Sequence, residues 1–343
     1  MKPTQTKTLL ASCIGASLPV LIVGKPGVGK TDIVSQAAAE TRAELLISHP
    51  AVSDPTDAKG LPWADAGAKE AKFLPFGDLA QAIAGPKDPD GKLVWFLDDL
   101  GQASPAVQAS FMQLILARRV GEHKLPDSIV FVAATNRRED RAGVSGILEP
   151  VKSRFASIVE METDVDDWTN WAATHNIRPE VIAFIRMRPD LLIDFKPTGD
   201  MKNSPCPRTW AHVSQLLNLD LHPGIEALAY AGAVGEGAGA EFVGFLEMFR
   251  NLPINPDRIL LDPEGAEVPT EPSHLYALSS ALASKANDRN FGRILTYAKR
   301  MPQEFAVLTI RDCHRRNPKV AASPDFSKFA ASKLGRIVSG QED

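Results

Sequence analysis

The stretch 24-GKPGVGKT-31 fits GxxxxGK[ST] at every specified position. It confines the surrounding chain to one local architecture, a strand, a glycine-rich loop and a helix. Glycines let the backbone curl so that successive N–H groups point inward at an oxyanion, and the N-terminus of the following helix adds a favourable dipole. The flanks agree: the apolar run 19-PVLIVG-24 precedes the loop and the helical pattern 31-TDIVSQAAAETRA-43 follows it. Gly24, Lys25, Pro26, Gly27, Val28, Gly29, Lys30, Thr31 and Asp32 are therefore the candidate phosphate cradle. In it Lys30 reaches the β- and γ-phosphates of a nucleotide and the Thr31 hydroxyl ligates Mg²⁺.

A strand that opens such a loop needs parallel neighbours. Four further apolar runs supply them: 45-LLISHP-50, 93-LVWFLDD-99, 128-SIVFVAATN-136 and 156-ASIVEME-162. They are near-continuous rather than alternating, which predicts strands buried on both faces. Between them, 104-SPAVQASFMQLILARR-119 predicts a helix with Ser104 as N-cap, Pro105 at the first helical position and arginines in the last turn. The 51–91 segment holds several prolines and glycines and is too long for a simple connection. It predicts a functional excursion around a helix. Beyond about residue 164 the pattern turns helical, at 165–176, 179–189 and 208–219, and a Gly-rich joint, 232-GAVGEGAGA-240, precedes further helices.

The third run ends on Asp98 and Asp99. In phosphate-loop proteins a strand beside the first ends in an acidic residue that helps hold the Mg²⁺ shell, a role Asp98 fits. Asp99 is the candidate to orient and polarise an attacking water; its alternative role is to cap backbone at the strand end.

With these residues placed, the chain resembles the AAA+ ATPases, and among them the MoxR-like group, over roughly residues 1–220. The resemblance implies a P-loop NTPase αβα sandwich with a parallel five-stranded sheet at 1–163, an α-helical lid at 164–231 and a helical C-terminal extension at 232–343. 132-VAATN-136 is similar to sensor 1 and gives Asn136 a contact with the γ-phosphate or the water. 149-EPVKSRF-155 is similar to the arginine-finger segment, with Arg154 the first candidate and Lys152 the second; the alternative is an Arg154 paired with Glu149. 204-SPCPRTW-210 is similar to sensor 2, with Arg208 approaching the phosphates. One position departs from the family: Asp99 stands where glutamate is usual. A misplacement of about 1 Å can cost on the order of a hundredfold in rate, so slow hydrolysis is expected while ATP–Mg²⁺ binding is spared.

An arginine offered in trans implies a homo-oligomer, a ring or a helical assembly, most often of six subunits. The resemblance also implies a motor that remodels or assembles a protein partner, in many MoxR-like proteins one with a von Willebrand factor A domain. Two alternatives stay open: a DNA- or RNA-associated ATPase, and a nucleotide-gated scaffold with weak hydrolysis. The turn in 118-RRVGEHKLPD-127 predicts a β-hairpin. Its Arg118, Arg119, His123 and Lys124 either line a central channel or form a solvated hairpin. The long excursion, with Trp63, Phe73 and Phe76 among its prolines, looks like the insertion that MoxR-like proteins carry, and Trp168 and Trp171 are expected in a lid core.

Composition narrows the partners. A hydrophobic content of 44% and a net charge of −4 describe a globular chain, not a nucleic-acid or membrane-surface binder as a whole. Charge is nevertheless uneven: residues 284–336 hold twelve lysines and arginines against four carboxylates, with Phe291, Tyr297, Phe305, Phe326 and Phe329 interleaved. Basic helices docked on an acidic neighbour are the favoured reading and a nucleic-acid footprint is the other. Cys13, Cys206 and Cys313 are scattered, predicting inert thiols in a reducing interior. No run reaches membrane-span length and the N-terminus has no signal-peptide core, so a cytoplasmic location without membrane contact is expected.

Overall fold

The computed structural model describes all 343 residues except 66, 68–69, 121–122, 141–142, 144–145, 331, 333–334 and 336–343. The chain divides into two compact units, Met1–Asp164 and Val165–Asp343.

In the first unit the strands are β1 (Val20–Val23), β2 (Glu44–Ser48), β3 (Leu61–Asp65), β4 (Glu70–Leu74), β5 (Leu93–Leu97), β6 (Arg119–Val120), β7 (His123–Lys124), β8 (Ile129–Thr135) and β9 (Ser157–Glu160). Five of them form one parallel sheet in the order β2-β5-β8-β1-β9, and these are the five apolar runs of the sequence. β5 and β8 are buried along their whole length, which is why their residues do not alternate in polarity. The helices are α1 (Pro3–Ala16), α2 (Lys30–Glu40), α3 (Pro55–Lys59), α4 (Gly77–Ala84), α5 (Pro105–Ala117) and α6 (Glu149–Lys152). Ser104 caps α5, its hydroxyl accepting from the Val107 amide, and Pro105 opens the helix. Under α5, Trp95 stacks on Phe131 with ring centres 5.4 Å apart and meets the edge of Phe111 at 6.0 Å.

The long excursion after β2 is built. A short 3₁₀ turn and α3 lead into an antiparallel hairpin of β3 and β4, and α4 returns the chain to β5. The hairpin stands in solvent, with Trp63 63% and Phe73 42% exposed. Phe76 is half-buried just beyond it. The second expected hairpin is present as β6 paired with β7, although its turn residues 121–122 lie outside the described set. Arg118 departs from the channel-lining expectation: its guanidinium donates to the carbonyls of Pro126 and Ile129, both at 2.8 Å, and closes the hairpin's base. Arg119 is exposed. Lys124 pairs loosely with Asp127 at 3.7 Å, and His123 Nε2 lies 3.3 Å from the Phe73 carbonyl.

The second unit is helical: α7 (Val165–Thr174), α8 (Pro179–Met187), α9 (Pro207–Leu217), α10 (Pro223–Val234), α11 (Glu236–Arg250), α12 (Pro256–Leu261), α13 (Pro272–Lys285), α14 (Phe291–Ala298), α15 (Gln303–Arg316) and α16 (Pro324–Ala330). One set of buried side chains gathers around Phe184, Trp210 and Phe242, another around Phe291, Tyr297 and Phe305. Trp168 belongs to the first set, and Trp171 packs against it while stacking on His175 at 4.6 Å. The Gly-rich 232–240 stretch is not an open joint. It is a sharp turn between α10 and α11 at Gly235, whose φ of 86° suits glycine. A Cβ on Gly239 would sit 2.7 Å from the Ala231 Cα, so the two helices can meet only because that side chain is missing.

Inside this unit Arg186 and Asp312 form a buried two-pronged ion pair between α8 and α15. Asp312→Ala leaves the guanidinium buried without its counter-charge. A loss of about 3–5 kcal/mol is expected, measured as a lower urea midpoint of the helical unit's transition. An unchanged midpoint would show that the pair carries no net stability. The three cysteines are buried and unpaired.

Candidate functional site

β1 and α2 hold the phosphate loop between them at the C-terminal edge of the sheet. Gly27 (φ 75°) and Gly29 (φ 94°) take left-handed backbone, which lets the chain curl back on itself. Gly24 is needed for a different reason: a Cβ there would lie 2.9 Å from the Met161 carbonyl, too close for any other residue without a shift. Val28 is buried under the loop, while Asp32 is exposed in the first turn of α2. The backbone of Gly24 is tied to β8 by its amide, which donates to the Thr135 carbonyl at 3.2 Å.

Lys30 opens α2 and is only 7% exposed. Its ammonium donates to the carbonyls of Gly24 and Lys25, both at 3.0 Å, and to Asn136 Oδ1 at 2.6 Å. Asn136 follows β8 and is 8% exposed; its Nδ2 in turn donates to Asp99 Oδ1 at 3.3 Å. Thr31 Oγ1 donates to Asp98 Oδ2 at 2.7 Å. Asp98 is 9% exposed, and its second oxygen accepts from the Asp99 amide at 3.1 Å. Thus Lys30, Thr31, Asp98, Asp99 and Asn136, drawn from three strand ends, form one hydrogen-bonded set. Parallel strands deliver their C-terminal ends to the same edge, which is why residues so far apart in sequence meet.

Asp99 has φ 57° and ψ 35°. That left-handed conformation is disfavoured for most side chains and tolerated best by Asn and Asp. The backbone therefore supplies a local reason for aspartate at this position.

Two supports escaped the reading of the sequence. Arg137, next to Asn136, clamps Asp140 with Nε at 3.0 Å and Nη2 at 2.8 Å and also reaches Glu160 at 3.3 Å. The Asp140 carboxylate pushes its guanidinium well above the ordinary range, so the chain leaving Asn136 is pinned by a permanently charged group. An Arg–Asp pair three residues apart was the only hint in the sequence. Ser48 is the other. Its carbonyl accepts from the Asp98 amide at 2.9 Å, while its hydroxyl accepts from Trp95 Nε1 at 2.7 Å and donates to Asp78 of α4 at 2.5 Å. It joins the end of β2, the Asp98 strand and the helix that follows the exposed hairpin. A lone serine at a strand end carries no such signal.

Arg154 is not brought to this set. Arg154 follows α6 and precedes β9, at the N-terminal edge of the sheet. β1 alone spans about 13 Å at 3.3 Å per residue, and the loop lies beyond its far end. Arg154 Nη1 donates to Ser153 Oγ at 2.9 Å and its buried Nε has no partner among the described residues. Glu149 pairs with Lys152 at 2.5 Å rather than with Arg154. Arg208 is exposed at the second position of α9, in the helical unit.

Thr31 and Asp98 are hard oxygen donors of the kind Mg²⁺ takes, one or two from protein and the rest from phosphate and water. Among the described residues no group of three or more His, Cys, Asp or Glu is placed to hold a metal unaided. No described helix is long and apolar enough to cross a membrane.

Residues 19–155 match the profile of the AAA domain (dynein-related subfamily). No curated protein matches the sequence. Among solved structures, the Thermotoga maritima RuvB Holliday junction branch migration motor is 18% identical, with 82% of this chain and 80% of that chain covered and a TM-score of 0.39. A mutant of the same RuvB is 17% identical over 82% and 80% of the two chains, with a TM-score of 0.41. Nothing about this chain's partners follows from a likeness of that size.

Proposed function

We propose, from the premise that residues 19–155 are an AAA+ nucleotide-binding domain, that this protein is an ATP-hydrolysing motor which works as a homo-oligomer and remodels or assembles a protein partner. The observation that carries the reading is the single hydrogen-bonded set of Lys30, Thr31, Asp98, Asp99 and Asn136 at the mouth of the loop.

Each residue has a task its position allows. The loop amides and the Lys30 ammonium bind the phosphates. Thr31 and Asp98 would hold Mg²⁺, which when bound neutralises charge on the phosphate oxygens. Asp99 orients the attacking water and accepts its proton, and Asn136 fixes the Asp99 carboxylate while contacting the γ-phosphate side. Arg154, at the other edge of its own sheet, serves the site of a neighbouring subunit, in a ring or helical assembly of about six copies as is usual for such motors. Slow turnover is part of the reading, because the short arm of Asp99 stands where the resemblance expects glutamate.

The MoxR-like assignment and a partner with a von Willebrand factor A domain rest on the sequence resemblance. They are supported by the exposed apolar hairpin β3–β4, whose Trp63 and Phe73 offer a protein-binding face. The interleaved aromatics of the basic C-terminal region weigh against a single strand held by base stacking: Phe291, Tyr297, Phe305 and Phe329 are buried in the helical core and cannot stack on bases.

The test is steady-state ATPase activity with Mg²⁺, alongside electron microscopy with and without ATP. Turnover with assembly supports the motor; assembly with turnover at background favours the scaffold. Asp99→Asn keeps the left-handed backbone and the side-chain volume but removes the charge. It is expected to lower turnover about 10²–10⁴-fold with nucleotide affinity unchanged. Equal turnover in this variant would remove Asp99 from the mechanism.

A further inference from the structure

The basic C-terminal region does not keep its charges in ordinary surface pairs throughout. Lys285 does, with Asp257 at 2.8 Å. On α15 the arrangement differs. Arg315 and Arg316 lie near Asp312 and Arg186, with Arg311 one turn before Arg315, and two of the carboxylates around them are already engaged. Both Asp312 oxygens are taken by Arg186, and both Glu180 oxygens by Arg178 at 2.6 and 3.1 Å. Asp166 acts on Arg315 from α7 but is exposed to solvent.

Two of the three arginines find neutral acceptors instead. Arg315 donates to Asn170 Oδ1, and Arg316 Nη2 donates to the Ile177 carbonyl at 3.0 Å. Arg311 has no partner among the described residues, and its Nε is buried without an acceptor. Neutral oxygens satisfy N–H groups but leave the charge in place, and like charges one helical turn apart repel. Burial first, and then neighbouring guanidinium groups, push both Arg315 and Arg316 below the usual arginine range. A half-buried position makes this repulsion harder to screen than at the surface.

What such a group lacks is an anion. Two guanidinium groups on one helix face, with Cβ atoms about 5–6 Å apart, can present several N–H donors to a tetrahedral oxyanion, the geometry for which arginine is suited. We infer that α15 carries a phosphate-binding site formed by Arg311 and Arg315 with Arg316 at its flank. The site takes a phosphate group either from a nucleic-acid backbone or from a free polyphosphate. It is independent of the nucleotide loop, so either assignment can fail alone.

The test uses the full chain with Lys30→Ala, which disables the phosphate loop, with and without the added pair Arg311→Gln and Arg315→Gln. Pyrophosphate binding is measured by calorimetry and a labelled DNA duplex by anisotropy. Both ligands are expected to separate the two proteins only if the source is nucleic acid; pyrophosphate alone will do so if it is a free polyphosphate. The expected loss on adding the pair is at least tenfold in affinity. For DNA the salt slope should also fall by about 2. Absence of binding by the Lys30→Ala protein, or equal affinity after the pair is added, overturns the site. If the pair unfolds the protein, Arg311→Gln alone serves, since it breaks no hydrogen bond among the described residues. An unpaired charge also predicts that this single change leaves the low-salt melting temperature equal or higher, where an arginine with only a structural role would lower it.

Discussion

Lys30→Ala is expected to lower ATP affinity by a hundredfold or more, which leaves no measurable binding at micromolar nucleotide. The side chain opens α2 with its ammonium fixed over the loop mouth by two loop carbonyls and Asn136. A charge-assisted contact to phosphate is worth about 1.5–3 kcal/mol, and about 1.4 kcal/mol is tenfold in affinity, so losing contacts to two phosphates gives an effect of this size. Titration of a fluorescent ATP analogue measures it. Unchanged affinity would mean that the loop is not where the triphosphate sits, and the roles given to Thr31, Asp98 and Asn136 would go with it.

Arg154→Ala is expected to leave ATP binding intact and cut turnover by about 10³-fold or more, the range an arginine finger supplies. In its own subunit this residue stands at the sheet edge opposite the loop, hydrogen-bonded to Ser153. A contribution to chemistry therefore has to be made to another copy. Mixing Arg154→Ala with Asp99→Asn checks that directly. Each protein lacks a different half of the site, so hybrid interfaces that pair an intact Arg154 with an intact Asp99 should recover part of the activity. Mixed assemblies that form, yet stay inactive, would rule out a site shared between subunits.

Much of this site could be read in one dimension because its parts have fixed backbone demands. A loop that curls around phosphate needs glycine with left-handed backbone and a lysine at the start of the next helix, and 24–31 spells both. Strands covered on both faces need unbroken apolar runs, which made β5 and β8 visible; the edge strands β2 and β9 carry apolar runs too, although Ile47 and Ile158 are exposed. The Ser104 cap and Pro105 start of α5 were legible on the same ground, since each satisfies or removes an orphan amide at a helix end. The Gly-rich 232–240 stretch misled because glycine has two uses. One is freedom to turn, which Gly235 takes; the other is room for a close helix crossing, which Gly239 takes. Composition cannot tell them apart. Arg118 misled similarly: a cation in a hairpin reads as exposed charge until the carbonyls it closes on are known.

By itself, the sequence determined the phosphate loop, the positions of the sheet's strands and the two aspartates that follow β5, because each is dictated by neighbours within a few residues. Only the tertiary structure decided that Asn136 would link Lys30 to Asp99, that Ser48 would tie Asp98 to α4, and that Arg311 would have no ion-pair partner among the described residues. Those facts depend on which strand ends share an edge and which helix faces meet, and such contacts are fixed by packing across the chain, not along it.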